Sequence, residues 1–434
     1  MERWIARENG QRSRLGHAWF EIAALLIAVG LVARQRAPFV LAACLLTVIP
    51  VAWAWNRLSL RRVDYERHFD KLRAFPGETF RMTLRVTNRK ILPLSWLEIN
   101  DTIPTALPPT TGVLSPTHLL QVSRLTATFS LWWYERVNRR YELQCQTRGI
   151  YTLGPLDIRS GDIFTLFESE TSRDTQDRLI VYPYVWPLED LGLPSKDPFG
   201  ARKAQQRLFQ DPLRTIGVRD HHPEDSLRHI HWKATARQGE LQVRVFEPTT
   251  SLNLVILLNV ATFKHHWQGV IPELLERAIS LAGSIATWAT GQKYKVGLVA
   301  NGSMPHADQP IRVPSGRSPG QLTAILEALA AVTSFATMPI QDLLQRESPR
   351  LPWGATLVVV TAIVTEELAA TMLKLRSAGR QMVLVSLAEE EPPQLEGVIT
   401  HHLPPSAPVF SRFGKEPGDA MAALRAAGLA SGEA

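Results

Sequence analysis

The residues most able to do chemistry lie in one stretch, RDHHPEDSLRHIHWKATAR, at 219–237. It places four histidines, three carboxylates and several basic side chains around one tryptophan. Histidines and carboxylates act as general acids, general bases and metal ligands, and grouped basic side chains are typical of nucleic-acid surfaces. The stretch therefore raises three chemical hypotheses, to be weighed against a purely structural one.

The histidine spacing argues against a metal site. His229 and His231 are two residues apart, and His221 and His222 are adjacent. A helical zinc pair is four residues apart, as in H-E-x-x-H, whereas side chains two apart share a face only on a strand. The two cysteines of the chain are far apart and cannot form a thiolate cluster. We expect no metal and no other cofactor.

Charge balance argues against nucleic acid. Residues 217–250 carry five Lys or Arg and five Asp or Glu, which can neutralise one another in ion pairs. A structural reading fits better: EDS at 224–226 predicts the start of a short helix, and GELQVRVFEP (239–248) predicts a strand. Trp232 is then expected to pack at a seam between domains. A hydrolase remains open if Asp220, His222 and His231 converge in a solvent-filled pocket.

Two apolar runs precede this region, at 17–33 and 37–55, separated by little more than RQR. Each approaches the ~20 residues that a helix needs to cross a bilayer. Residues 1–73 contain 12 Lys and Arg against 6 Asp and Glu, so +6 of the net charge of +7 lies beside these runs. The positive-inside rule then places both chain termini in the cytoplasm. A cleaved signal peptide or a buried helical pair is the alternative.

The next region changes to short alternating segments typical of strands. ETFRMTLRVTN (78–88), SRLTATFSLWW (123–133) and RRYELQCQTRGIYTLGPLDI (139–158) alternate apolar and polar residues between Pro- and Gly-rich turns. RLIVYP (178–183) predicts a last strand. The region predicts a small antiparallel β-sandwich, a fold that usually serves as a binding or spacer module.

The C-terminal part alternates strands and helices. LNLVILLNV (252–260) and ATLVVVTAI (355–363) are continuous apolar runs, as in strands buried on both faces. Such alternation predicts a mostly parallel, Rossmann-like open sheet covered on both sides. Helices are predicted at 272–291, 319–335 and 365–380, and further strands at 293–301, 381–387 and 397–403.

The stretch at 219–248 also resembles the signature of domain-of-unknown-function family 58, roughly R-x-Y-x-x-G-D-x-x-R-x-I-x-W-x-x-x-A-R-x-x-x-L. His221 replaces the usual aromatic residue and Glu224 the usual glycine. TRGIYTLGPLDIRSGDIFTLF (147–167) resembles the family's R-G-x-Y-x-x-G-P and D-P-F-G-L-F segments. The order of regions matches the family along nearly the whole chain. The residues at the characteristic signature positions are Arg219, Asp225, Arg228, Ile230, Trp232, Ala236, Arg237 and Leu241.

This resemblance implies a bacterial or archaeal membrane protein with a C-terminal part similar to a von Willebrand factor A domain. It also implies a MoxR-type AAA+ ATPase as partner. The metal-binding form of that domain needs D-x-S-x-S after the first strand, since those oxygens bind Mg²⁺. Here Asn259, Ala261 and Phe263 occupy those positions, and no Asp follows TLVVV (356–360). We predict that no divalent ion binds there.

The sequence as a whole predicts a multidomain protein of the inner or cytoplasmic membrane that is not an enzyme. It would present surfaces to protein partners, and an envelope-binding protein is the alternative if the β-module lies outside. The predicted parts are a basic tail (1–16), a transmembrane helical hairpin (17–56), a β-sandwich (71–185), a linker (186–216), the signature segment (217–250), a von Willebrand factor A-like α/β domain (251–410) and a C-terminal tail (411–434).

Overall fold

The computed structural model divides the chain into two compact units, Met1–Tyr182 and Pro183–Ala434. It describes residues 12–13, 18–111, 114–117, 121–191, 193, 198–199, 210–222, 230–248, 253–264, 268–305, 307–352 and 354–406. Several predictions lie outside these residues: the tail at 411–434, most of the tail at 1–16, and the signature residues Asp225 and Arg228.

The first unit begins with a two-residue strand, β1 (Arg12–Ser13), and two apolar helices, α1 (Ala18–Ala33) and α2 (Arg36–Ser59). Arg34 joins the helices with a positive φ of 48°. By length and composition, α2 could cross a membrane, whereas α1 is a shorter apolar helix of 16 residues. The described part of the chain therefore offers one candidate span, and a two-span hairpin stays a prediction.

Short strands fill the rest of the first unit, because alternating apolar residues can bury one face of each strand. The strands are β2 (Val63–Phe69), β3 (Arg73–Ala74), β4 (Thr79–Asn88), β5 (Leu94–Pro104), β6 (Leu114–Pro116), β7 (Val122–Leu131), β8 (Arg136–Gln144), β9 (Gly149–Leu153), β10 (Leu156–Gly161), β11 (Phe167–Arg173) and β12 (Asp177–Val181). One sheet has the order β1-β11-β10-β5-β7-β6, and two three-stranded sheets have the orders β2-β4-β8 and β3-β12-β9. All strand pairs are antiparallel except β3 with β12.

These sheets share one hydrophobic core. Every second residue of β4, from Phe80 to Val86, is buried against side chains of β5 and β7 such as Ile99 and Leu125. The module begins at Val63, eight residues before the predicted boundary, and β5 was not predicted. Both differences arise because β2 and β5 mix charged residues with apolar ones, which masks their alternation.

A charged cluster lies inside this module. Arg67 of β2 pairs with Asp101 of β5 at 2.8 Å and with Asp177 of β12 at 2.8 Å, and Tyr65 donates to Asp101 at 3.1 Å. The side chains of Arg67 and Asp101 are almost completely buried. Burial raises the pKa of Asp101 and the guanidinium opposes that shift, while burial and the Asp101 carboxylate raise the pKa of Tyr65. Arg67, one of the basic residues counted in 1–73 beside the apolar runs, is part of the core.

The second unit opens with a two-stranded antiparallel sheet, β13 (Gln210–Asp220) and β14 (Gln242–Pro248), connected through α3 (Trp232–Gln238). The predicted linker therefore ends too late, because its last seven residues are already strand. The irregular register between Asp211 and Gly217 obscures the strand pattern in the sequence.

The remainder of the second unit is a six-stranded α/β sheet. Its order, β17-β16-β15-β18-β19-β20, is that of a doubly wound fold, with β17 antiparallel to β16 and the other pairs parallel. Val255 and Leu257 of β15 pack against α6 and α7, and α4 and α5 contact each other and the neighbouring strands. The elements are β15 (Asn253–Leu258), α4 (Pro272–Gly291), β16 (Lys295–Ala300), β17 (Ile311–Gly316), α5 (Gln321–Ala331), α6 (Ile340–Glu347), β18 (Thr356–Thr361), α7 (Glu366–Ser377), β19 (Gln381–Ser386) and β20 (Ile399–His402).

Strand order decides where a site can form in such a sheet. The chain leaves β15 in one direction towards β16 and returns on its other side as β18, so the crevice at their carboxyl ends is the switch point where ligands bind in this architecture. Neither β17 nor α6 was predicted from the sequence.

Candidate functional site

A crevice of about 390 Å³ opens at this switch point. The residues after β15, β16 and β18 line it, together with the segment that leads into α6. Apolar side chains dominate, with Lys264, Glu367 and Gln341 among the polar ones. The three positions that carry ligands in the metal-binding form of a von Willebrand factor A domain, and for which the sequence predicted no metal, all lie here: Asn259, Ala261 and Phe263 line the crevice.

Three neutral polar side chains connect the strand ends beneath the crevice. The side-chain amide of Asn259 donates to the Thr361 hydroxyl at 2.9 Å, and its oxygen accepts from the Asn301 amide at 2.9 Å. Asn301 in turn accepts from the Val260 backbone N–H at 2.8 Å. The three side chains are nearly fully buried. We call Asn259, Asn301 and Thr361 the amide network.

Each member of the amide network has its hydrogen bonds satisfied. Asn259 Oδ1 also accepts from the backbone N–H of Ala261 at 3.1 Å, and the Thr361 hydroxyl donates to the Ile363 carbonyl at 2.6 Å. Buried polar groups with a full set of partners fix a single local geometry. The network therefore holds the ends of β15, β16 and β18 together, and its side chains supply neutral oxygens only.

Sequence reasoning found Asn259 but missed Asn301 and Thr361. A usable signal exists: each buried apolar strand ends in a polar residue, as in KVGLVAN (295–301) and TLVVVT (356–361). Because the strands are parallel, their last residues meet at one edge of the sheet. Which amide bonds which partner depends on strand order, and the sequence does not state that order.

The signature segment lies on the sheet of β13 and β14. Ile230 is buried and bridges to Val243 of β14. The backbone N–H of His231 donates to the Gln242 carbonyl at 2.7 Å, and Gly239 ends α3 in the left-handed conformation. These contacts hold α3 beside β14.

The predicted helix start, EDS at 224–226, and Leu227 lie outside the described residues. The described helix α3 starts at Trp232, with Ile230 in a bridge before it. The cap is His231, whose Nδ1 accepts from the Ala234 N–H at 3.1 Å. A histidine cap was missed because the common caps are Ser, Thr, Asp and Asn.

The apolar signature residues are mostly on the surface. Trp232 is 66% exposed and Leu241 43%, and Val218 on the neighbouring strand is 42% exposed. Ala236 and Arg237 are also exposed. Trp232 therefore lies on the surface in the described part of the chain, where the sequence predicted packing at a seam between domains.

The groups proposed for hydrolysis have other partners. Asp220 accepts from the Gln242 side-chain amide at 2.6 Å, and His231 caps α3. Arg219 donates to the backbone carbonyl of Asp220 at 3.0 Å. Among the residues that the structure describes, no three His, Cys, Asp or Glu side chains are grouped so as to hold a metal ion.

Comparison with known proteins finds a similar family and a similar relative. Residues 217–404 match the family model described as "Protein of unknown function DUF58". The uncharacterized protein YeaD of Bacillus subtilis (strain 168) is 25% identical over 361 residues, which cover 82% of this chain and 81% of YeaD. Both findings support the resemblance stated from the signature residues.

Similar solved structures cover a smaller part of the chain. The CARDB domain of a Pyrococcus furiosus protein, in complex with di-metal ions, is 10% identical with a TM-score of 0.19, covering 28% of this chain and 96% of that domain. The sporulation control protein Spo0M of Bacillus subtilis is 14% identical with a TM-score of 0.19, covering 38% of this chain and 59% of Spo0M.

Proposed function

We propose that this chain is a membrane-anchored, non-enzymatic adaptor that acts with an AAA+ ATPase of the MoxR type in the assembly or maturation of a protein complex. The observation that carries the proposal is the exposure of the signature side chains. Tryptophan and arginine dominate binding energy at protein interfaces, and neighbouring exposed apolar side chains mark interaction sites. Trp232, Arg237 and Leu241 supply these types on one hairpin.

The α/β unit supports the likeness to a von Willebrand factor A domain. Its six strands follow the doubly wound order, with one antiparallel strand at the edge. At the switch point the amide network takes the place of a charged ligand set, which suits a domain that presents surfaces rather than a bound ion.

Membrane anchoring rests on α2 and on charge. The helix has 24 residues, and most of its apolar side chains are exposed, as in Val40, Leu41 and Val51. We propose that α1 and α2 both cross the cytoplasmic membrane and that both termini lie in the cytoplasm, since arginines flank the pair on both sides.

The test is crosslinking of the full-length chain in its native membrane, followed by purification in detergent and mass spectrometry. We expect an AAA+ ATPase among the recovered proteins. Trp232→Ala should reduce its recovery about tenfold or more, because a tryptophan at the centre of an interface contributes at least about 2 kcal/mol.

Leu72→Ala provides the matched control, since Leu72 is 55% exposed in the other unit. It should leave recovery of the ATPase unchanged. Recovery of envelope components alone, or equal loss of the ATPase in both variants, would contradict the adaptor function.

A further inference from the structure

The β-module has its exposed apolar side chains concentrated at one end. Seven large apolar residues are exposed among the described residues of 63–182. One of them, Leu72, lies near the start of β4, where the Asp70 carboxylate accepts from the Arg81 backbone N–H. The other six lie on three loops: Ile91, Trp132, Trp133, Tyr134, Ile163 and Phe164. We call these six residues the loop-tip surface.

Strand register brings the three loops together. The first residues of β5 pair with the last residues of β7, where Leu94 lies opposite Leu131. They also pair with the last residues of β10, where Leu97 lies opposite Ser160. The loops that follow β4, β7 and β10 therefore leave the module at the same end. A backbone hydrogen bond of 3.3 Å from Tyr134 to Lys90 joins two of the loops directly.

The apolar helix α2 reaches the module at this same end. The ammonium of Lys90 donates to the carbonyls of Ser59, at the end of α2, and of Arg61, at 2.9 Å for the latter. The Arg89 N–H donates to the Arg62 carbonyl at 2.9 Å. The third loop also lies beside the helix, because Phe167 packs against Ile49 and Ala52 of α2.

Polar side chains, two of them buried, hold the loops in place, so the exposure of the loop tips is a fixed feature of the module. Asp162 is fully buried and accepts from the backbone N–H groups of Phe164, at 2.8 Å, and Phe167, at 2.7 Å. The side-chain amide of Asn88 donates to the Trp132 carbonyl at 2.8 Å. Glu135 accepts from the Trp132 N–H at 2.6 Å.

Charges around these tips are mainly positive. Exposed arginines lie at the end of α2 and at the start of β8, while the carboxylate of Asp64 pairs with Arg89 at 2.6 Å and that of Glu135 is bonded to the loop backbone. Tryptophan and tyrosine favour the headgroup level of a bilayer, and arginines beside them attract anionic lipids. The exposed arginines are Arg57, Arg61, Arg62, Arg89 and Arg136.

We propose that the loop-tip surface is a membrane-contact surface, which lies in the headgroup region of the same bilayer that α2 crosses. The inference rests on the membrane anchoring stated under Proposed function. It adds that the β-module is held against the lipid by three loops, in addition to its covalent link to the helix.

The experiment uses the full-length chain with Cys44→Ala, reconstituted in vesicles of 70% phosphatidylcholine and 30% phosphatidylglycerol. A spin label is attached at Ile91→Cys, or in a second variant at Phe164→Cys. The matched control is Thr79→Cys, at the other end of the ten-residue β4 and therefore roughly 30 Å away. Cys145 stays unlabelled, because burial raises its pKa to about 12.

The measurement is the accessibility of each label to oxygen, which partitions into lipid, and to a water-soluble nickel chelate. We expect the oxygen-to-nickel ratio at positions 91 and 164 to be several-fold higher than at position 79. Equal, water-like ratios in vesicles that retain the protein would overturn this inference alone.

Two other outcomes separate this inference from the anchoring. Low accessibility to both reagents at positions 91 and 164 would show that protein covers the surface, which overturns the lipid contact. Failure of the chain to float with the vesicles in a density gradient would overturn the membrane anchoring, and this inference with it.

Discussion

Each of the two units contains a buried polar cluster in its interior, and the two clusters differ in charge. The β-module uses the charged cluster of Arg67, Asp101 and Asp177, whereas the α/β unit uses the neutral amide network. A charged pair loses much hydration when buried and is secure only while both partners remain. An amide loses less, so a neutral network tolerates the loss of one member better.

The positions of the two clusters explain the difference. Arg67 donates to the carbonyls of Leu153, at 3.3 Å, and Thr175, at 2.6 Å, in addition to its carboxylate partners. One guanidinium therefore joins four segments, which a short amide cannot span. The close packing there also requires Gly154, which has a φ of +100° and whose Cβ would collide with the Thr175 carbonyl. At the switch point, parallel strand ends are near enough for amides to reach one another.

The largest expected effect is that of Arg67→Met. Removing the guanidinium leaves Asp101 buried without its cation, which should reduce the free energy of opening of the β-module by about 3–5 kcal/mol. Amide hydrogen exchange measured by mass spectrometry on peptides from β4 and β5 reports this. Arg85→Ala is the control, because its pair with Glu66 at 3.5 Å is exposed and contributes at most about 1 kcal/mol. Similar losses in the two variants would show that the buried cluster contributes no more to stability than an exposed ion pair.

A smaller effect is expected for Asn301→Ala. The substitution leaves the Val260 N–H without a partner and removes one of the two donors to the Asn259 oxygen, which keeps the Ala261 N–H. We expect the α/β unit to lose about 1–3 kcal/mol. Faster exchange should appear in peptides from β15 and β18 and be absent from those of the β-module. A loss as large as that of Arg67→Met would remove the contrast between charged and neutral clusters.

The smallest expected effect is that of Mg²⁺, which should leave exchange in the α/β unit unchanged. Asn259, Ala261 and Phe263 supply one neutral oxygen where hard cations prefer several, including carboxylates. Exchange of the β15 and β18 peptides is compared in chelator and in about 10 mM Mg²⁺, a concentration roughly tenfold above the dissociation constants of the weakest natural calcium sites. Slower exchange with the metal would show that the crevice binds Mg²⁺, and the contrast between a charged cluster and a neutral one would then fail.

Much of the element order was predictable from local pattern. The continuous apolar run of β15 and the helix at 365–380 were both predicted from the sequence. The helix is observed as α7, capped by Thr365, which accepts from the Leu368 N–H at 3.2 Å. Elements with mixed patterns were missed, as for β2, β5, β17 and α6. Strand β2 contains Arg67, which is buried in the core, although arginine is a residue type normally expected on the surface.

The sequence by itself determined the apolar N-terminal segment, the alternation of strands and helices after residue 251, and the absence of a carboxylate at Asn259, Ala261 and Phe263. These follow from residue type and short-range period, which depend on a few neighbouring residues. Only the tertiary structure decided that Arg67 is buried, that Trp232 is exposed, and that Asn259 bonds Asn301 and Thr361. Those outcomes depend on which distant segments pair and in what register, and that information is spread over the whole chain.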